Sequence, residues 1–455
     1  MGSFGQIHSN CEVENLVSDD EVSFKKEVNR SAIECAVKDL LLGLGEDINR
    51  EGIRKTPFRV AKAFFEGTRG YRQNVKDIIE GALFPEDGLD NNNKIGHGGG
   101  VGGLVIVRDI DLYSYCESCL LPFQVKCHVG YIPSGQRVVG LSKLPRVAEA
   151  FAKRLQEPQR LADEICSALH QGIEPEGVAI VLQCTHIPFP YKDIESNDIG
   201  WVKLLVSSGS GVYENKNAEM WSDFFSLLKF RGIDNDKVRL KGPLDQCWCP
   251  SLYAEVSSKI KAISTPIMVN AVSSIVKSLG EDPTRKELVE TPSRFLKWLM
   301  NFQCASNIDI EMNGYISNTN GKVRFDDKEI YSEVNLPFWS QCEHHLLPFY
   351  GVVHIGYFLS KGCYPIGKSI LQSIVHFYGF KLQVQERLTK QIAETISPLV
   401  GGNVIVVVEA SHTCMISRGI EKFGSNTATI AVLGHFSTNL AARTKFLEYS
   451  KCYIS

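Results

Sequence analysis

Two stretches of this chain, set side by side, decide its fold: Cys116-Glu117-Ser118-Cys119-Leu120-Leu121-Pro122-Phe123 and Cys342-Glu343-His344-His345-Leu346-Leu347-Pro348-Phe349. They are one motif written twice. Other segments recur around them in the same order. Thr56-Pro57-Phe58-Arg59-Val60-Ala61-Lys62 returns as Thr291-Pro292-Ser293-Arg294-Phe295-Leu296-Lys297. His128-Val129-Gly130-Tyr131 returns as His354-Ile355-Gly356-Tyr357, and the Leu155-Gln156 segment as Leu382-Gln383. Cys116 and Cys342 are 226 residues apart and Leu155 and Leu382 are 227 apart, a register that chance similarity does not hold. The chain is therefore a tandem repeat. It has an N-terminal tail (1–28), a first domain (29–235), a linker (236–264) and a second domain (265–455).

Each copy reads as helices followed by β-β-α-α-β-β. Ile33–Leu42 has helical spacing, with a counterpart near Met268–Leu279. Thr-Pro before Arg suits a helix start, with Thr as N-cap and Pro at the first position. Leu104–Val107 and Gln124–Tyr131 read as a hairpin, Ser369–Phe380 and Val384–Leu399 as helices, and Val404–Val408 as a strand. That order predicts an α+β fold: in each copy an antiparallel sheet with helices on one face. The glycine-rich run Gly96–Gly103 lacks the Lys and Ser/Thr of a phosphate-binding loop and reads as a plain loop.

Cys342 and His345 are three apart, so one turn can bring both to one ion. If the strand from Val404 runs on through His412 and Cys414, those two side chains share a face. Two thiolates and one imidazole suit a tetrahedral zinc with a fourth position open to water, the pattern of a catalytic site. The same residues would serve equally well as reduced core side chains. In the linker, Cys247-Trp248-Cys249 reads as packing.

Cys342-Glu-His-His-Leu-Leu-Pro-Phe, then Leu382-Gln-Val-Gln-Glu-Arg-Leu, then His412-Thr-Cys-Met-Ile-Ser-Arg-Gly together resemble GTP cyclohydrolase I. The resemblance implies two tandem tunnelling-fold (T-fold) domains, a toroidal homo-oligomer, and conversion of GTP plus water to 7,8-dihydroneopterin triphosphate plus formate. The doubled form resembles the plant enzymes that feed folate synthesis. By the same resemblance Cys342, His345 and Cys414 are ligands for one Zn2+ per chain. His344 and His412 handle protons, Gln385 and Glu386 hold the guanine, and Arg418 contacts substrate. Zinc would lower the pKa of its water toward ~7 for attack on C8 of the guanine.

The copies have lost different parts. In the first, Ser118 and Cys119 stand for the two histidines, Pro188 for Cys414, and Pro158-Gln159 for Gln385-Glu386. Two ligands rarely hold a catalytic ion, so the expectation is that the first copy has no zinc site. The first copy does keep the family's Gly140-Leu141-Ser142-Lys143-Leu144-Pro145-Arg146, whose Lys and Arg serve the triphosphate. In the second copy Ser369 stands for Ser142, but Ile370 stands for Lys143 and Ser373 for Arg146. Losing two phosphate cations would cost ~1.5–3 kcal/mol each. The expectation is a composite site: zinc and guanine groups from the second copy, Lys143, Arg146 and Ser142 from the first. Arg59/Lys62 and Arg294/Lys297 occur in both, so the sequence leaves open which pair serves the phosphate.

A formal net charge of −3 gives no basic footprint for nucleic acid or an anionic membrane. The first thirty residues lack the pattern of a signal peptide, and no apolar run reaches the ~20 residues of a membrane span, so a cytoplasmic protein is expected. The competing reading is a catalytically dead pterin- or nucleotide-binding regulator of the same fold. A mere binder needs no open metal position, which weighs against it.

Overall fold

The computed structural model describes residues 19–85, 103–134, 137–187, 201–215, 219–230, 232, 248–252, 266–302, 321–325, 328–420 and 424–451. The glycine-rich run up to residue 102, Pro188, Cys247 and most of the linker lie outside them.

The first repeat opens with α1 (Asp19–Gly43), α2 (Thr56–Gly67) and α3 (Val75–Ile79). Next come β1 (Leu83–Pro85), β2 (Val105–Cys116), β3 (Pro122–Ile132), β4 (Arg137–Val139), α4 (Lys143–Ala152), β5 (Leu155–Gln156) and α5 (Pro158–Ile173). It ends with β6 (Gly177–His186), β7 (Val202–Gly211) and α6 (Glu219–Lys229). The second repeat runs α7 (Pro266–Leu279), α8 (Thr291–Asn301), β8 (Gly321–Phe325), β9 (Lys328–Cys342), β10 (Pro348–Phe358), α9 (Lys368–Gly379) and β11 (Leu382–Gln383). It closes with α10 (Gln385–Val400), β12 (Val404–His412), α11 (Thr413–Ile416), β13 (Thr427–Leu433), α12 (His435–Thr438) and α13 (Leu440–Lys451). The expected tail is thus helical from Asp19, because α1 begins ten residues before the predicted domain edge.

The sheet orders are β5-β2-β3-β6-β7 and β11-β9-β10-β12-β13, with β8 added beside β9. All ladders are antiparallel except the short β2–β5 and β9–β11 pairs, which are parallel. The helical layer sits where the pattern puts it. Val404, Val406 and Val408 of β12 join the main core under α10, and Val178, Ile180 and Leu182 of β6 join it under α5. The intervening residues are apolar too, since the second face carries a helix as well. Ile405 and Val407 pack with Phe446 of α13, and Ala179 and Val181 with Phe224 of α6. A strand covered on both faces reads as a continuous apolar run.

The repeated His-x-Gly-Tyr motif has a structural explanation. A Cβ at Gly130 or Gly356 would collide with Phe224 or Phe446. The Nδ1 atoms of His128 and His354 accept from the backbone N–H of Asp109 (3.1 Å) and Asn335 (3.3 Å), the left-handed residues (φ 57°) of two β-bulges. The Tyr131 and Tyr357 hydroxyls accept from the N–H of Val139 (3.1 Å) and Ile366 (3.0 Å).

The repeats are joined by reciprocal contacts. α1 packs on α7. Glu343 accepts from its own repeat's Arg387 (2.7 Å) and the other repeat's Arg50 (3.0 Å). Glu117 accepts from Arg160 (2.7 Å) and Arg285 (2.9 Å) in the same way. The Thr-Pro segments differ from expectation: Lys55 and Glu290 are the N-caps, and Thr56 and Thr291 lie inside their helices. Their hydroxyls cross the interface instead, each donating at 2.6 Å, Thr56 to the Glu343 carbonyl and Thr291 to the Glu117 carbonyl.

Candidate active site

β9 and β10 are joined by a tight turn that carries Glu343, His344 and His345. The N–H of Leu346 donates to the Cys342 carbonyl, and Leu346 takes φ 54°, as Leu120 takes φ 57° in the first repeat. A left-handed leucine costs on the order of 1 kcal/mol. The turn is held by its ladder, and its result is to aim residues 342 and 345 at one point. Cys342 Sγ and His345 Nδ1 are 3.8 Å apart, and Cys414 completes a trio whose ligand atoms all lie within 4.8 Å of one another.

Cys414 arrives by a route the sequence reading did not foresee. The strand ends at His412, and residues 413–416 form a helical turn. His412 and Cys414 therefore do not share a strand face. The turn swings Cys414 over to Cys342, pinned by the Thr413 hydroxyl, which donates to the Pro348 carbonyl at 2.6 Å. Contacts with Cys414 and His345 hold the Cys342 thiol well below the usual range despite its burial. Contact with Cys342 and burial push the Cys414 thiol up in turn, so without an ion one proton stays on the pair. Two buried sulfurs and an imidazole with converging ligand atoms fit a metal ion.

His412 stacks on Phe349 (4.7 Å, 6° between planes) and lies beside Cys342. Its Nε2 is 2.8 Å from Gln385 Oε1. Gln385 is buried, and its amide nitrogen donates to the carbonyls of Val408 (3.0 Å) and Thr427 (2.8 Å). Those acceptors fix the amide orientation, so the oxygen faces His412 and the proton must sit on His412 Nε2. Gln385, expected to touch guanine, has all its amide partners within the protein. Glu386, next to it, is exposed and lines an open cavity of about 390 Å³ with Thr389, Lys390 and Thr429.

His344 is half-buried, and its pKa is lowered by burial, with the nearby Arg59 charge adding to the effect. Arg59 belongs to α2 of the first repeat, carried there by the Thr56 bond to Glu343. Lys62 is exposed beside Glu66 (3.8 Å). By the mirrored contact, Thr291 sets α8, with Arg294 and Lys297, against the first repeat's Cys-Glu-Ser-Cys turn. Arg418 donates from Nε to the Cys414 carbonyl at 2.7 Å.

The remaining phosphate candidates stand apart from the trio's own contacts. Lys143 Nζ donates to the Ile78 carbonyl at 2.7 Å in its own repeat, while Ser142 and Arg146 are exposed at the start of α4. The far end of α4 does reach the second repeat: Lys153 Nζ donates to the Ser417 carbonyl at 3.1 Å. Burial lowers the pKa of Lys153 to about 8. Sequence reasoning missed Lys153; its only signal is that Phe380 takes its place in the second copy. Ser369 is exposed on the first turn of α9, and Ile370 is buried, so that position serves the core.

The first copy brings together more candidate ligands than the two counted from its sequence. Cys116, Cys119, His186 and Cys249 bring four ligand atoms within 4.8 Å of one another, all four residues buried. The sequence counts two of these four because Cys249 comes from the linker, where no repeat register points to it.

The family model described as GTP cyclohydrolase I matches this chain twice, over residues 33–229 and 268–451. The chain is 61% identical to GTP cyclohydrolase 1 of Solanum lycopersicum over 460 residues, covering 98% of each. It is 61% identical to GTP cyclohydrolase 1 of Arabidopsis thaliana over 435 residues, 94% of this chain and 92% of that one. GTP cyclohydrolase 1 of Dictyostelium discoideum is 41% identical over 199 residues, 44% of this chain and 78% of its own length. Two matched regions, two sheets and two corresponding Cys-Glu turns agree: the chain belongs to the GTP cyclohydrolase I family and carries its T-fold domain in tandem.

Proposed function

We propose that the chain opens the imidazole ring of GTP, releasing formate and yielding 7,8-dihydroneopterin triphosphate, at a zinc centre in the second repeat walled by the first. The observation that carries this reading is the trio Cys342, His345 and Cys414 with His412 held beside it by Gln385. Zinc held by the trio would acidify a water toward a pKa of ~7 and so supply the hydroxide for attack on C8.

The chain's own residues do the rest. His412, with its Nε2 proton tied to Gln385, has Nδ1 as the atom that takes and returns a proton as the ring opens. His344, whose pKa burial lowers, is a second proton carrier. Glu386, exposed in its cavity, accepts hydrogen bonds from the guanine N–H groups and fixes the ring's orientation. Gln385 is assigned here as the positioning residue for His412. Arg59, Lys62 and Arg418 face the triphosphate from the two repeats, and the bond of Thr56 to Glu343 favours the first copy's pair over Arg294 and Lys297.

Lys143, Arg146 and Ser142 lie at the opposite end of α4 from Lys153. A ten-residue helix is about 15 Å long, so they sit far along α4 from the Ser417 contact. This supports their serving the zinc centre of a neighbouring chain in a ring of chains, with Ser369 at the corresponding place in the second repeat. The reduced thiols suit a cytoplasmic setting, and among the described residues no helix is long and apolar enough to cross a membrane.

The test is formate release from GTP by the purified chain. One formate per pterin product is expected, abolished in His412→Ala and Cys414→Ala. GTP binding without formate release from the zinc-loaded chain would favour the regulator reading instead.

A further inference from the structure

We propose that the first repeat holds a second metal ion, a closed structural zinc bound by Cys116, Cys119, His186 and Cys249. The four residues are at most 1% exposed, so no position is left for water or substrate. Cys119 Sγ and Cys249 Sγ lie 3.4 and 3.7 Å from His186 Nε2. Tetrahedral zinc with its usual bond lengths sets sulfur and nitrogen about 3.5 Å apart. The three sulfurs are hydrogen-bonding neighbours of one another.

The surroundings prepare each ligand. His186 Nδ1 is 2.6 Å from the Ile187 carbonyl, an acceptor, so Nδ1 carries the proton and the Nε2 lone pair faces the sulfurs. A metal-ligating histidine is oriented by this kind of bond. Ser251 Oγ lies 2.9 Å from Cys249 Sγ and can donate to it. Trp248 packs edge-on against His186 (5.0 Å) and Phe123 (4.9 Å), sealing the site with the linker itself.

Comparison of the repeats shows how one motif yields two kinds of site. In the second, Gln385 binds His412 through Nε2 and keeps it out of the trio. In the first, Pro158 stands in that place, and His186 presents Nε2 to the cluster instead. Cys119 replaces His345. Cys249 replaces the missing Cys414 from more than sixty residues down the chain. Three thiolates and one imidazole form a closed set for zinc. Such an ion would clip the linker to the first repeat.

Metal analysis of the full-length chain and its variants tests this without reference to turnover. Two zinc ions per chain are expected in the wild type. Cys414→Ala should keep one and Cys249→Ala should keep one, while the double variant should hold none. Cobalt substituted into Cys414→Ala should show the charge-transfer intensity of three thiolates. If Cys249→Ala does not fold, Cys414→Ala decides alone: one bound zinc supports the site, and none overturns it. A disulfide among Cys116, Cys119 and Cys249 in the protein as purified, before any metal is stripped, seen as an intact mass lowered by two hydrogens, would also overturn it. Neither negative result touches the proposed turnover of GTP, which formate release reports separately.

Discussion

At the scale of single residues, Gln385 and Glu386 are neighbours with different tasks. Gln385 is buried with its amide spent on Val408, Thr427 and His412. Gln385→Leu should lower kcat by roughly 10²-fold, in the range of general acid–base catalysis, with little change in KM or zinc content. Glu386→Ala should instead act on substrate affinity, raising KM. Steady-state kinetics on the two variants separates these outcomes, and the reverse pattern would exchange the assignments. His128 and His354 give a different prediction. Burial lowers both pKa values from 6.5 to about 4. Between those pH values the unfolded chain binds protons that the folded chain refuses, so stability falls as pH drops from 6.5 toward 4. Each histidine contributes roughly 3 kcal/mol to that loss, which is absent above pH 7. Denaturant midpoints measured from pH 7.5 to 4.5 should show this slope, and it should flatten in the His128→Asn/His354→Asn chain.

At the scale of elements, the sequence shows helices, strands and their order well, because period and β-branching are local properties. The junctions are less legible. Thr56 and Thr291 carry the signature of an N-cap, yet their hydroxyls bond across the repeat interface, and a local pattern cannot register a partner 287 or 174 residues away. Both bonds are buried, so Thr56→Val and Thr291→Val should each destabilise the chain by about 1–3 kcal/mol. Thermal or denaturant unfolding measures this, and a neutral effect of both would remove these bonds as interface determinants. Glu117 and Glu343 offered a signal that could have been used. The glutamate stands in both copies although the metal histidines do not, which points to a role independent of the catalytic metal. That role is to receive one arginine from each repeat.

At the scale of the whole molecule, the two repeats embrace so that α2 of the first lies over the metal turn of the second. Arg59 therefore lies near His344 of its own chain, and under the proposed function it serves that centre, whereas Lys143 and Arg146 stand at the outer end of α4. Mixing experiments distinguish these geometries. Subunits of Lys143→Ala reassembled with subunits of Glu386→Ala should recover activity, since a site between chains can draw an intact residue from each. Reassembly of Arg59→Ala with Glu386→Ala should recover none, since both residues act on one chain's centre. Recovery in the second mixture, or its absence in the first, would redraw the site.

The repeat, the order of elements, the trio of Cys342, His345 and Cys414, and the unequal losses of the two copies were all determined by the sequence alone. The repeat and its elements rest on periodicity and short spacing, which a linear text records, and the trio and the losses rest on the family's motifs. Only the tertiary structure decided that Gln385 holds His412, that α2 crosses to the other repeat, and that Cys249 joins Cys116, Cys119 and His186. Each of these depends on groups distant in sequence meeting in a close-packed interior, where the partner is chosen by the path of the whole chain.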